Sequence, residues 1–195
     1  MLFRSALAAE GASVGLLDAD IYGPSQPMMM GVSGRPDSRD GQTMEPLENH
    51  GVQVMSIGLL VDPDQAMIWR GPMVTGALMQ LLRDVNWGEL DYLLLDLPPG
   101  TGDVPLTLAQ NVKSAGVVLV STPQDMALAD VIRAKLMFDK VNIPILGLVE
   151  NMSAFCCPHC KQETPIFAKG GAKEAAEKMG LRCLGEIPKI GRAHV

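Results

Sequence analysis

The sequence predicts an α/β protein built on a doubly wound, mostly parallel sheet with helices on both faces. Three observations carry this. Its short apolar runs are continuous rather than alternating, which is how strands covered on both faces read. They take turns with longer stretches of helical periodicity, the order expected of a parallel sheet. At 195 residues and 47% hydrophobic, the chain is long enough for one substantial core.

In chain order, SALAAEG (5–11) reads as the end of a helix and SVGLLDAD (13–20) as the first apolar strand. Residues 23–68 break the rhythm, being rich in Gly, Pro and Met. They read as an excursion from the sheet, with extended pieces at GVQVMSIG and AMIW, a hairpin and a mobile loop. The run MMM at 28–30 reads as packing or loop filler. GPMVTGALMQLLRDV (71–85) is a helix, and DYLLLDLP (91–98) a strand. VPLTLAQNV (104–112) is a helix with Asp103 as its N-cap, followed by strand AGVVLVST (115–122) and helix DMALADVIRAKLMFDKV (125–141). Strand IPILGLVEN (143–151) leads into a cysteine-rich stretch, and GGAKEAAEKMG (170–180) is a helix stopped by Gly180. Cys183, in LRCLGEIP, reads as a buried strand thiol, and Trp69 and Trp87 as core or interface residues.

Charge and motif content exclude several function classes. A formal charge of -6 without a basic cluster argues against tracking a nucleic-acid backbone. No apolar run reaches bilayer length, and MLFRSALAAEGA lacks the pattern of a signal peptide. No membrane partner is expected, and the cytoplasm is the expected compartment. Four unevenly spaced cysteines suit a metal or redox site better than a disulfide framework.

Three of those cysteines fall in ENMSAFCCPHC (150–160), with Cys157 and Cys160 in C-x-x-C spacing. Soft thiolates suit iron-sulfur or zinc, and two of them make half of a four-ligand site. A redox pair is the other chemistry open to them, although no helix N-terminus is evident after Cys157. His159 and Cys156 read as a turn residue and a bystander.

In a doubly wound sheet, ligands bind beyond the carboxyl ends of the strands. GLLDAD puts Asp18 and Asp20 at one such end, LLLDLPPGTGD puts Asp96 at another ahead of a Pro-Pro-Gly-Thr-Gly turn, and GLVENMS ends on Glu150 and Asn151. Any one of these aspartates alone could be a helix cap or turn former. Their combination outlines a nucleotide site, since carboxylates hold metal-bound water and glycine amides face phosphate.

GLLDADIYGPSQP, MIWRGPMV, WGELDYLLLDLPPGTGD, LTLAQ, VSTPQDMALAD, PILGLVENMSAFCCPHC and LGEIP resemble the Mrp/ApbC-type iron-sulfur cluster carrier ATPases. These are deviant-Walker P-loop NTPases related to MinD and ParA. The likeness runs from about residue 6 to 188. It implies that Asp20 positions the hydrolytic water, that Asp96 holds the magnesium shell and that Gly100 senses the terminal phosphate of ATP. Asn151 would recognise adenine, with Pro188 in the loop bordering the base. Cys157 and Cys160 would meet the same pair of a second copy, so that a homodimer binds one bridging 4Fe-4S cluster and passes it to recipient apoproteins. Two other classes stand beside this reading. One is a positioning ATPase of the ParA/MinD type, which needs no paired cysteines. The other is a zinc-linked dimeric binding module.

The chain departs from the family pattern at both ends. The phosphate-loop motif G-x-x-x-x-G-K followed by Ser or Thr occurs nowhere in it. The resemblance puts that motif just before the helix ended by SALAAEG, so the first strand and P-loop are expected to be missing ahead of Met1. The 195 residues alone are then expected to bind ATP poorly and to be inactive as a hydrolase. Residues 1–189 read as a partial NTPase domain, and 190–195 as a non-native tail, because IGRAHV matches the translation of a common sequencing-library adapter.

Overall fold

The computed structural model describes residues 2–61, 71–157, 159–165, 167 and 171–190. Trp69, the extended piece AMIW and tail residues 191–195 lie outside the described residues. The chain divides into two compact units, residues 1–99 with 103–105 and residues 100–102 with 106–195.

In the first unit, α1 (Leu2–Ala9) leads to β1 (Val14–Asp18), α2 (Gln26–Met30), β2 (Leu47–Asn49), β3 (Val52–Ser56), α3 (Gly71–Arg83) and β4 (Tyr92–Asp96). The sheet order is β2-β3-β1-β4, with β3 and β4 both parallel to β1. All five residues of β1 are buried, as a continuous apolar strand between two neighbours should be. On one face Val14, Leu16, Val52 and Val54 meet Met30 of α2, Leu7 and Ala8 of α1, and Leu94. The other face carries Gly15, where a Cβ would lie 3.0 Å from the Trp87 ring and nearer still to Leu90, so only hydrogen fits under them. Trp87 is a core residue.

Within the described part of the stretch 23–68, residues 23–61, one feature departs from the sequence reading. The stretch does contain a hairpin: β2 and β3 pair antiparallel across His50-Gly51, both at positive φ, as a two-residue turn requires. Yet β3 is no excursion, because VQVMS is apolar enough to lie fully inside the sheet beside β1. Met30 is buried in the core while Met28 is 83% exposed, so the methionine run packs by one residue.

The second unit holds β5 (Val117–Ser121), α5 (Asp125–Lys140), β6 (Ile145–Cys156), β7 (Glu163–Thr164), α6 (Gly171–Lys178) and β8 (Cys183–Ile190). β6 is central, with β5 and β8 parallel on either side and β7 antiparallel to its far end. α4 (Asp103–Asn111) precedes β5; its N-cap is Gly102, and Asp103 stands one residue further in, where its charge favours the helix dipole. α6 ends in a Schellman motif: Gly180, at φ 66°, donates to Glu177 O and Leu181 donates to Ala176 O. Cys183 does lie in a strand but is half-exposed rather than buried. Among the described residues no helix is long and apolar enough to cross a membrane.

Gly147 lets β6 and β8 approach closely. A Cβ there would fall 2.5 Å from the carbonyl oxygen of Arg182 and 2.6 Å from Leu184, and the first of these is backbone. Gly147→Ala is therefore expected to cost about 1–3 kcal/mol, as overpacking does. A denaturant melt with an unchanged midpoint would contradict this packing.

Candidate functional site

The first unit gathers polar groups at the carboxyl ends of β1, β3 and β4. Asp18 ends β1 opposite Asp96 on β4 and Ser56 on β3, in parallel register. Its carboxylate is fully buried. Oδ2 accepts from the backbone N–H of Ser25 and Gln26 at 3.0 Å each and from Ser56 Oγ at 3.2 Å, while Oδ1 accepts from Asp20 N–H at 3.2 Å. Burial pushes its pKa up; the donors on Gln26, Asp20 and Ser56 pull the other way, and the Asp96 charge adds to the rise. The net direction is upward.

Asp20 stands two residues on, half-buried, with Oδ1 accepting the Gly23 N–H at 3.1 Å. Asp96 is half-buried, its carbonyl accepts the Ala19 N–H at 2.9 Å, and its Oδ2 accepts from Gln26 Nε2. Asp20 and Asp96 thus lie in one neighbourhood, joined through Asp18 and Gln26. Gln26 and Ser56, both buried, were not singled out from sequence. The available signal was the spacing of polar residues in DADIYGPSQP beyond a fully apolar strand.

In the second unit, β6 changes character at its midpoint. Glu150 is buried, and its Oε2 accepts the Ala172 N–H at 2.8 Å, which fixes the start of α6 to the strand. Asn151 follows, half-exposed, its Oδ1 taking the N–H of Met152, a residue at φ 57°. Asn151 is opposite Ile187 in register, so Pro188 is one residue from its cross-strand partner. Gly100, exposed and at φ 94°, sits in the turn ahead of α4 with no heavy atom within 4 Å of where a Cβ would be.

β6 then runs on to the cysteines. Cys157 N–H donates to Gln162 O at 3.0 Å and Lys161 N–H donates to Cys157 O at 2.9 Å, with Lys161 at φ 61° closing the turn back into β7. The Cys160 and His159 backbone N–H groups and the Cys160 thiol donate toward Cys157 sulfur and hold its pKa below the ordinary thiol value. Amides aimed at a sulfur stabilise a thiolate, which is the metal-binding and nucleophilic form. A turn and a strand follow Cys157, so the helix N-terminus of a thioredoxin-like pair is not there. Among the described residues, Cys156 Sγ reaches the Lys161 carbonyl, at 3.7 Å. Among the described residues no group of three or more His, Cys, Asp or Glu is placed to hold a metal ion.

One expectation follows for the thiols. Cys157 should be alkylated by iodoacetamide with a pH midpoint below that of an ordinary thiol such as free cysteine, read by peptide mass mapping across a pH series. A midpoint equal to that of free cysteine would mean that the turn amides do not act on Cys157.

The family model described as ParA, NUBPL iron-transfer P-loop NTPase matches residues 2–192. An iron-sulfur cluster carrier protein of Escherichia coli K12 is 56% identical over 184 residues, covering 94% of this chain and 50% of that protein. An Arabidopsis thaliana iron-sulfur protein required for NADH dehydrogenase, mitochondrial, is 55% identical over 90% of this chain and 56% of its own length. The chain spans about half the length of these curated relatives. Among solved structures, a nucleotide-binding protein from Archaeoglobus fulgidus in complex with ADP superposes with a TM-score of 0.81 at 42% identity, over 96% of this chain and 73% of that one. The cell division ATPase MinD of Pyrococcus furiosus gives 0.61 at 19% identity over 95% and 74%, a likeness of fold alone.

Proposed function

Because this chain belongs to the ParA/NUBPL iron-transfer P-loop NTPase family, we propose that it serves an ATP-dependent carrier that binds a 4Fe-4S cluster as cargo and hands it to recipient apoproteins. Its α/β fold is that of the MinD-like P-loop NTPases. The observation that carries the cargo reading is the turn that holds Cys157 and Cys160 in C-x-x-C spacing, closed by Cys157 N–H to Gln162 O and Lys161 N–H to Cys157 O, with Cys160 exposed. Two thiolates in an exposed turn fill half of a cluster's ligand set, and a second copy of the same turn supplies four. The proposed assembly is therefore a homodimer closed through this turn.

On the nucleotide side, Asp20 is the proposed water-positioning carboxylate, and Asn151 with Pro188 the proposed adenine contacts. Gly100 is proposed to face the terminal phosphate, which a glycine at positive φ can approach through its amide. Magnesium fits Asp96 by donor chemistry: a half-buried carboxylate offers hard oxygen. Asp18 fits less well, since Oδ2 already accepts three hydrogen bonds. When bound, the ion would offset phosphate charge. Asp20 would then orient the attacking water, and Asp96 would present its oxygens to the cation and its water shell. The sequence lacks the phosphate-loop motif, so the 195 residues by themselves are proposed to bind ATP weakly.

Anaerobic reconstitution with iron and sulfide tests the cargo reading. It should give a broad visible absorption, about one cluster per two chains, and recovery of activity in an added apo form of a 4Fe-4S enzyme. A colourless dimer holding one zinc would favour the zinc-linked module instead. Nucleotide-driven self-association without bound iron would favour the positioning ATPase.

A further inference from the structure

We propose that Gln26 is a positioning residue for Asp96, a neutral tether that presents the Asp96 carboxylate to a divalent cation. This rests on the reading of Asp96 as the magnesium-shell carboxylate. Gln26 opens α2, is 2% exposed, and touches both strand-end carboxylates of β1 and β4. Its backbone N–H donates to Asp18 Oδ2 at 3.0 Å, and its side-chain Nε2 donates to Asp96 Oδ2. Asp18 is in turn held by Ser25, Ser56 and Asp20, so the backbone end of the tether is fixed. Pro27 follows directly and favours the helix start that places the residue.

The chemistry of an amide explains why glutamine suits this place. Two carboxylates opposite each other in register repel, and a donor bridging from the first to the second offsets that repulsion. A lysine or arginine here would hold Asp96 but also neutralise it, competing with the metal for the same charge. An amide N–H orients one oxygen and leaves the negative charge intact. The length matters too, because asparagine is one methylene shorter from the same helix position. Groups that orient ligating carboxylates typically change metal affinity by 10–100-fold when removed.

Gln26→Met keeps the side-chain length, the helix start and the backbone bond to Asp18, and removes only the amide. It is compared with the parent in a form of the protein that carries the phosphate-loop motif. ADP affinity is measured by calorimetry in EDTA and across a magnesium series. ADP affinity in EDTA should match the parent, while the magnesium concentration giving half the affinity gain should rise about tenfold or more. Gln26→Asn, which retains a polar group at the site, should shift it the same way and guards against a folding defect in the methionine variant. Magnesium half-points within twofold of the parent in both variants would overturn the tether. Parallel loss of affinity with and without magnesium would make Gln26 a structural residue only and would overturn it equally. A parent whose ADP affinity ignores magnesium would instead overturn the reading of Asp96, and the purpose of the tether with it.

Discussion

Cys157→Ala should abolish cluster loading in the reconstituted protein, removing both the visible absorption and the bound iron. Each copy offers two thiolates, and a four-thiolate site that loses one from each copy keeps only two ligands. Cys157 is the more telling of the pair because the Cys160 and His159 amides are aimed at its sulfur. Cys160→Ala should give the same loss, since Cys160 supplies the other thiolate and one of those amides' positions. Cys183→Ala is the control. That residue lies in β8, beyond the turn, and should leave iron content at the parent value. Iron loading in Cys157→Ala equal to the parent would remove the cluster assignment altogether. Loading retained only when Cys156 is also present would move the ligand by one residue, to the thiol whose sulfur lies 3.7 Å from the Lys161 carbonyl.

Where the sequence was legible, the signal was a continuous apolar run. LLL, VVLV and ILGLV carry no polar residue before the strand end, so β4, β5 and the first half of β6 could be read as strands of a parallel sheet, although Leu93, Val118, Val120 and Leu146 keep an exposed face. The Gly180 stop was legible because only a left-handed residue completes the Schellman pair. β3 was read as an extended piece, but its place inside the sheet was not legible, because VQVMS is set among Gly, Pro and Met residues and is joined to β1 by long-range pairing. Asp18 was visible at its strand end, but its scaffold role was not, and Gln26 escaped altogether. Both roles come from hydrogen bonds that span 7 to 70 positions in sequence, of which the polar spacing in DADIYGPSQP gives only a hint. Asp20 and Asp96 were visible because one lies two residues past the end of an apolar strand and the other ends one. The cysteine pair was visible by spacing, but the amides that aim at Cys157 appear only once the turn back into β7 is in place.

The second large effect is expected at Asp20. In a form of the protein that carries the phosphate loop, Asp20→Ala should lower ATP turnover by about a hundredfold or more, the range typical for loss of a group that handles the attacking water's proton. ATP affinity should stay within about threefold of the parent, which is the signature of an interaction made mainly in the transition state. The structure supplies the reason for such a split. Asp20 is not part of the buried scaffold: its backbone N–H is held by Asp18, but its side chain is half-exposed and, among the described residues, accepts a local bond from Gly23. Removing the carboxylate should therefore leave the loop's attachment to β1 intact. Asp20→Asn sharpens the test, because an amide oxygen can still accept the Gly23 N–H and orient a water but is a far weaker base. If the water-positioning assignment holds through proton transfer, the asparagine variant should be nearly as slow as the alanine variant. If orientation alone matters, asparagine should recover most of the turnover. Full turnover in Asp20→Ala would mean that the hydrolytic water is held by another group, and Asp96, joined to the same network through Gln26, would become the next residue to test.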